Sequence, residues 1–150
     1  MKAWRIVMAS DHAGFAMKRQ MAAFLEAAGC SVTDVGTKDE VSCDYPDFAS
    51  EAGQRLAAGE FERGVFCCGT GVGISIAANK IKGVRAVAPT SELVTELARK
   101  HNDANVLCLG GRIVGVALAE ALVLRFLETD FEGGRHAVRL GKIGRLECGT

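Results

Sequence analysis

The sequence predicts a doubly wound α/β sandwich, a five-stranded parallel sheet with helices on both faces, and three observations carry that expectation. Short apolar runs alternate with longer segments of helical period along the whole chain. Most of the runs are apolar throughout instead of alternating, which is how strands covered on both faces read. Glycine and proline fall at the junctions, where helix ends belong. Five βα units in succession imply right-handed crossovers and a three-layer, Rossmann-like arrangement.

The first strand is Ile6-Val7-Met8-Ala9, followed by a helix whose stripe is Met17, Met21, Phe24, Leu25 and Ala28, at steps of three and four. Gly29 sits where its C-terminal cap would be, and Ser31 to Val35 is the second strand. Pro46 and Asp47 suit the first turn of a helix near Asp47 to Ala58, with Gly59 after it. Gly64 to Cys68 is the third strand; the helix after it runs through Ile74, Ile76, Ala77 and Ile81. Val84 to Ala88 and Asn105 to Leu109 are the last two strands, with a fourth helix between them that ends before His101 and Asn102. Ala119, Leu122, Val123, Phe126 and Leu127 make the fifth stripe. From about residue 130 the chain is rich in Gly and Arg, and Glu147 to Thr150 carry no pattern.

At 150 residues the chain is one domain's worth, 1–150, and long enough to bury a core without metal or disulfides. Eighteen basic and eighteen acidic residues give zero net charge, which argues against a nucleic-acid partner. Six cysteines, two of them adjacent (Cys67 and Cys68), form neither a disulfide framework nor the CxxC pairs of a zinc site; they read as reduced thiols in a cytoplasmic protein. No export signal is visible. The most apolar late segment, Val114 to Leu127, is interrupted by Glu120 and Arg125 and is too short for a membrane span, so no membrane partner is expected.

In a parallel sheet ligands bind beyond the carboxyl ends of the strands, so chemistry is sought after Ala9, Cys68, Ala88 and Leu109. Gly69-Thr70-Gly71-Val72-Gly73 lies between a strand and a helix, where glycines let backbone approach a ligand and the first amides of the helix face negative charge. The spacing is neither the dinucleotide GxGxxG nor a P-loop. A tight turn without a ligand is the competing reading. Cys68, last in its strand, would feel those amides, which favour thiolate and make it a base or nucleophile; Cys67, Cys30 and Cys108 read as small core residues. Cys43 and Cys148 read as loop thiols.

Asp11 and His12 follow the first strand and should stand at the sheet's carboxyl edge, although Asp11 could be only the N-cap of the next helix. His101 falls on the far side of the register and reads as a helix C-terminal histidine, more structural than catalytic. Arg135 and Arg139 are four apart and would share a helix face as a double fork for phosphate, with Arg112 able to join them and His136 between them. A solvated tail is the other reading of that segment.

With these residues in view, the chain resembles the ribose-5-phosphate isomerase B family, which includes allose- and galactose-6-phosphate isomerase subunits. The resemblance runs from about Ile6 to Arg145 and rests on Asp11-His12-Ala13-Gly14, Asp44-Tyr45-Pro46, the run from Cys68 to Lys80, His101-Asn102-Asp103-Ala104-Asn105-Val106, and Gly133-Gly134-Arg135-His136 with Arg139. It implies a metal-free, cofactor-free aldose–ketose isomerase acting on ribose 5-phosphate and ribulose 5-phosphate. Cys68 would be the base, His101 would open the furanose ring, and the amides of Gly69 to Gly73 would hold the oxyanion. The phosphate would go to Arg112, Arg135 and Arg139, with His12 and His136 nearby. Asp11 and Asn102 would contact hydroxyls, and Tyr45 would line the site. The family's dimers, sometimes tetramers, build each site from two chains, so a homo-oligomer with shared sites is expected. Six-carbon sugar phosphates are the nearest alternative substrates; a nucleotide-binding module and a thiol redox protein are the rival classes.

Overall fold

The computed structural model describes residues 2–149; Thr150, at the end of the patternless tail, lies outside them. Five strands, β1 (Arg5–Ser10), β2 (Ser31–Asp34), β3 (Arg63–Cys68), β4 (Ala86–Val87) and β5 (Val106–Gly110), form one sheet in the order β2-β1-β3-β5-β4. Every pairing is parallel. The helices are α1 (Phe15–Ala27), α2 (Tyr45–Ala57), α3 (Val72–Ala78), α4 (Glu92–Asn102), α5 (Val116–Glu128) and α6 (Arg135–Glu147).

The continuous apolar runs have the cause expected of them, because successive side chains enter different cores. Ile6, Met8, Val65 and Cys67 pack under α1, α4 and α5, while Val7, Ala9, Phe66 and Cys68 pack under α2 and α3. Consequently α1 and α3, which follow the adjacent strands β1 and β3, leave the sheet toward opposite faces. The loops after β1 and β3 diverge there, at the topological switch point where a parallel sheet offers a crevice. Lys18 secures one side of it: fully buried in α1, its ammonium donates to Asp34 Oδ1 at 2.8 Å and to the Thr37 carbonyl, which ties the helix to the end of β2.

Several boundaries differ from the sequence reading. Helix α2 begins at Tyr45, two residues earlier, with Pro46 in its first turn. Helix α3 already includes Val72 and Gly73 and stops at Ala78, short of Ile81. Its end is set by Asn79, whose side-chain amide donates to the Ala86 carbonyl and accepts from the Ala86 N–H, both at 2.8 Å. That clamp joins the end of α3 to the edge strand, and β4 is only two residues long, pairing with Val106 and Leu107. The Gly/Arg-rich segment is a thirteen-residue helix with most of its surface exposed. Among the described residues no helix is long and apolar enough to cross a membrane.

Candidate active site

The candidate residues fall into two groups at opposite edges of the sheet. The first surrounds Cys68 at the carboxyl end of β3. Its Sγ accepts a hydrogen bond from the Gly71 amide at 3.1 Å, an interaction possible because Gly71 turns back with φ 79° and ψ −19°. Gly14 lets α1 start against this strand: a Cβ there would lie 2.4 Å from the backbone carbonyl of Cys67. The loop after β5 is laced to the same place, since the Gly111 amide donates to the Cys68 carbonyl (2.9 Å) and the Arg112 amide to the Gly69 carbonyl (3.0 Å). Arg112 thus stands beside Gly69, with Nη1 3.3 Å from where a Cβ on that glycine would be.

Asp11 and His12 complete this group from β1. Asp11 does not cap α1, whose N-cap is Gly14; its carboxylate accepts from the Gly14 amide at 3.0 Å and so holds the turn leading into the helix. His12 Nδ1 lies 3.2 Å from both the amide nitrogen and the carbonyl oxygen of Cys43. Whichever tautomer is present, the ring is fixed through Nδ1. The Tyr45 ring, at the start of α2, packs on Gly73, where an added Cβ would come within 2.7 Å of it. Thr70 and Val72 are exposed at the rim, Thr70 Oγ1 accepting from the Val72 amide at 3.2 Å.

Cys67, one residue earlier in β3, lies apart from this group. It points into the opposite core, fully buried, and that burial pushes its pKa far above the usual thiol range. Neighbours aimed at opposite faces of a strand do not make a disulfide, so the redox reading loses its pair.

The second group lies where α4 ends and α6 begins. Helix α4 connects two parallel strands, so its C-terminus returns to the amino edge of the sheet. His101 and Asn102 are in its last turn, not beyond it. A partly buried network fixes that turn: Arg99 Nη1 donates to Asp103 Oδ1 (2.8 Å) and the Ala104 carbonyl (2.6 Å), and Arg85 Nη2 to Asp103 Oδ2 (2.9 Å), around an Asp103 held at φ 44°. Arg63, from the start of β3, is pushed down to about 10, chiefly by burial and then by Arg99. The His101 ring stacks on His136 with centroids 4.2 Å apart and planes 11° apart. His136 is itself held below the ordinary histidine pKa, first by burial and then by His101, Arg135 and Arg139. Arg135 and Arg139 share the exposed start of α6, as their spacing predicts.

Cys68 and His101 are therefore separated by about the length of β3, six residues at roughly 3.3 Å each. Arg112 belongs with the thiol, and Arg135 and Arg139 with His101, so one chain does not gather the three arginines. Sequence reasoning missed Lys18, Arg99 and Glu132, which hold or flank these groups, and gave Asp103 no role beyond its place in a motif. A mid-helix lysine has no sequence signal for burial, and Glu132 reaches His136 only through the turn before α6, 3.7 Å from Nε2.

A buried thiol under a glycine loop at the switch point of a parallel sheet marks an enzyme of the small α/β class that works at the carboxyl edge of its strands. The chain belongs to the Ribose/Galactose Isomerase family, whose model it matches over residues 6–143. It is 44% identical over 143 residues to ribose-5-phosphate isomerase B of Escherichia coli (strain K12), covering 95% of this chain and 96% of that one. Among solved structures, ribose-5-phosphate isomerase B of Clostridium thermocellum superposes with a TM-score of 0.95 at 48% identity, covering 97% of this chain and 98% of that one. The Thermotoga maritima enzyme gives a TM-score of 0.94 at 44% identity, covering 96% and 99%.

Proposed function

We infer that the protein interconverts ribose 5-phosphate and ribulose 5-phosphate. The observation that carries this reading is the Cys68 thiol, buried at the carboxyl edge of β3 with the Gly71 amide donating to its sulfur. Isomerisation of an aldose needs a base at the carbon next to the carbonyl and a preorganised place for the oxyanion, and neither needs a cofactor. Cys68 as thiolate takes the C2 proton of the open-chain aldose. The electron pair forms the enediolate, whose developing charge faces the loop of Gly69 to Gly73, while the Gly71 amide, already donating to Cys68 Sγ, holds the thiol. The O2 hydroxyl proton passes to O1, the thiol returns its proton to C1, and C2 is left as the ketose carbonyl. Asp11 and Asn102 hold sugar hydroxyls, His101 moves the proton that opens the furanose ring, and Arg135 and Arg139 with His12, His136 and Arg112 hold the phosphate end.

A pentose phosphate spans about six bonds of roughly 1.5 Å from C1 to phosphorus and cannot bridge the two edges of one sheet. The site is whole only if a second copy brings its α4–α6 edge to the thiol, so the working unit is a homodimer or a tetramer built from two such dimers. Exposed apolar side chains on the helices carrying both groups suit such a partner: Val72 and Ile76 on α3, Leu93 and Val94 on α4, Val138 on α6. The compartment that fits free thiols and a phosphorylated metabolite is the cytoplasm.

A coupled assay comparing ribose 5-phosphate with the 6-phosphates of allose and galactose tests the reading. The chain belongs to a family of ribose and galactose isomerases, which makes the six-carbon substrates the relevant comparison. Preference for ribose 5-phosphate, abolished in Cys68→Ala, is expected. A well-folded wild type inactive on all three refutes it, and preference for a six-carbon substrate moves the assignment within the family.

A further inference from the structure

The stacked pair His101 and His136 has a third neighbour that isomerisation does not use. Among the described residues, His101, Glu132 and His136 form a cluster whose ligating atoms all lie within 4.8 Å of one another. The three come from the last turn of α4, the turn before α6 and the first turn of α6. Two hydrogen bonds hold these segments together: the Glu132 amide donates to the Lys100 carbonyl at 3.1 Å, and the Arg99 side chain donates through Nε to the Thr129 carbonyl at 3.2 Å. Two imidazoles and one carboxylate are a ligand set suited to Zn2+, which leaves a fourth position for water.

We propose that His101, Glu132 and His136 form a zinc site whose occupation inhibits the isomerase. Tetrahedral bonds of about 2.0–2.1 Å bring the ligand atoms to about 3.3 Å apart, so the cluster must tighten by a side-chain movement. Glu132 is half exposed and free to swing inward, and its carboxylate offsets the repulsion of a dication by Arg135 and Arg139, which flank His136. The imidazoles must tilt out of their parallel stack for both lone pairs to converge. A metal on His101 removes the lone pair that the proposed ring-opening step requires, so turnover stops although Cys68 is untouched. This consequence rests on the ring-opening role given to His101; the binding site itself does not.

The full-length protein is stripped with a chelator and assayed with ribose 5-phosphate while zinc chloride is titrated. The metal-free protein is expected to be active, to lose turnover with zinc, and to recover in chelator. Magnesium has no effect, because it prefers oxygen ligands. Glu132→Gln should keep the zinc-free turnover and raise the half-inhibitory zinc concentration at least about tenfold. Since zinc also binds thiolates, binding is read separately in Cys68→Ala by equilibrium dialysis and by the visible absorption of Co2+, with one metal per chain lost on adding Glu132→Gln. No stoichiometric binding in Cys68→Ala, or inhibition of Glu132→Gln equal to wild type, overturns the site. Binding that depends on Glu132 yet leaves turnover intact overturns the inhibition and, with it, the role of His101. Inactivity of the metal-free wild type strikes instead at the isomerase reading.

Discussion

Gly71→Ala tests whether the amide over Cys68 matters to turnover. At φ 79° and ψ −19°, an alanine meets the left-handed penalty of about 1–2 kcal/mol. Its Cβ would also stand 3.1 Å from the backbone N of Gly110 and C of Leu109, where neither atom can move aside, adding on the order of 1 kcal/mol. A total of about 2–3 kcal/mol lowers the Tm by roughly 4–12 °C for a chain of this size. The backbone shift that relieves this contact carries the Gly71 N–H away from Cys68 Sγ. A hydrogen bond to a charged group is worth about 1.5–3 kcal/mol, so kcat should fall by roughly 10- to 150-fold. Gly29→Ala is the control: φ is 87° there too, but no atom lies within 4 Å of the added carbon and the site is remote. It should lower Tm by the conformational penalty alone and leave kcat unchanged when assayed well below its Tm. Equal kcat for Gly71→Ala and wild type would refute the role given to this amide, and equal Tm would refute the strain argument.

Cys68→Ala should abolish isomerisation, whereas Cys67→Ala, which trims a buried side chain in the opposite core, should cost about 1–2 kcal/mol of stability with turnover retained; comparable loss of activity in both well-folded variants would misplace the base. Arg139→Ala should weaken substrate binding by about 1.5–3 kcal/mol, read as a raised KM with some loss of kcat, and adding Arg135→Ala should be less than additive if both serve one anion. Stability should fall with pH below about 6.5: folded His136 holds its proton less readily than the unfolded chain, so the unfolded state protonates first. Urea midpoints between about pH 7 and 5.5 should therefore drop less in His136→Asn than in wild type, and parallel slopes would contradict the sign.

The sheet was legible because its strands are buried on both faces, so Ile6 to Ala9 and Gly64 to Cys68 announce themselves by continuous apolarity. The edge strand β4 was overestimated: Val84 to Ala88 is apolar enough for a strand, but only Ala86 and Val87 pair with β5, and the Arg85 amide before them donates to the Asn105 side chain instead. Helix α6 was ambiguous because it buries little of itself, and a helix with few buried residues has a sequence close to that of a solvated tail. Cys68 and its loop could be read from position alone. The pairing of His101 with His136 could not, since two residues thirty-five apart meet only through packing of α4 and α6. The placement of His101 at the amino edge was, by contrast, visible from topology, because a helix between parallel strands must return there.

The central claim is that one active site takes its thiol from one chain and its His101 and arginine group from another, and subunit exchange tests it most directly. Inactive Cys68→Ala protein is mixed with Arg135→Ala/Arg139→Ala protein, the subunits are dissociated and reassociated, and the mixture is assayed at a substrate concentration near the wild-type KM, where the arginine variant alone turns over little. In a random 1:1 mixture half of the dimers are mixed, and each mixed dimer has one fully wild-type site of two, so about a quarter of wild-type activity should return. Verified heterodimers without activity would contradict the account and place the thiol and the arginines in the same chain's site.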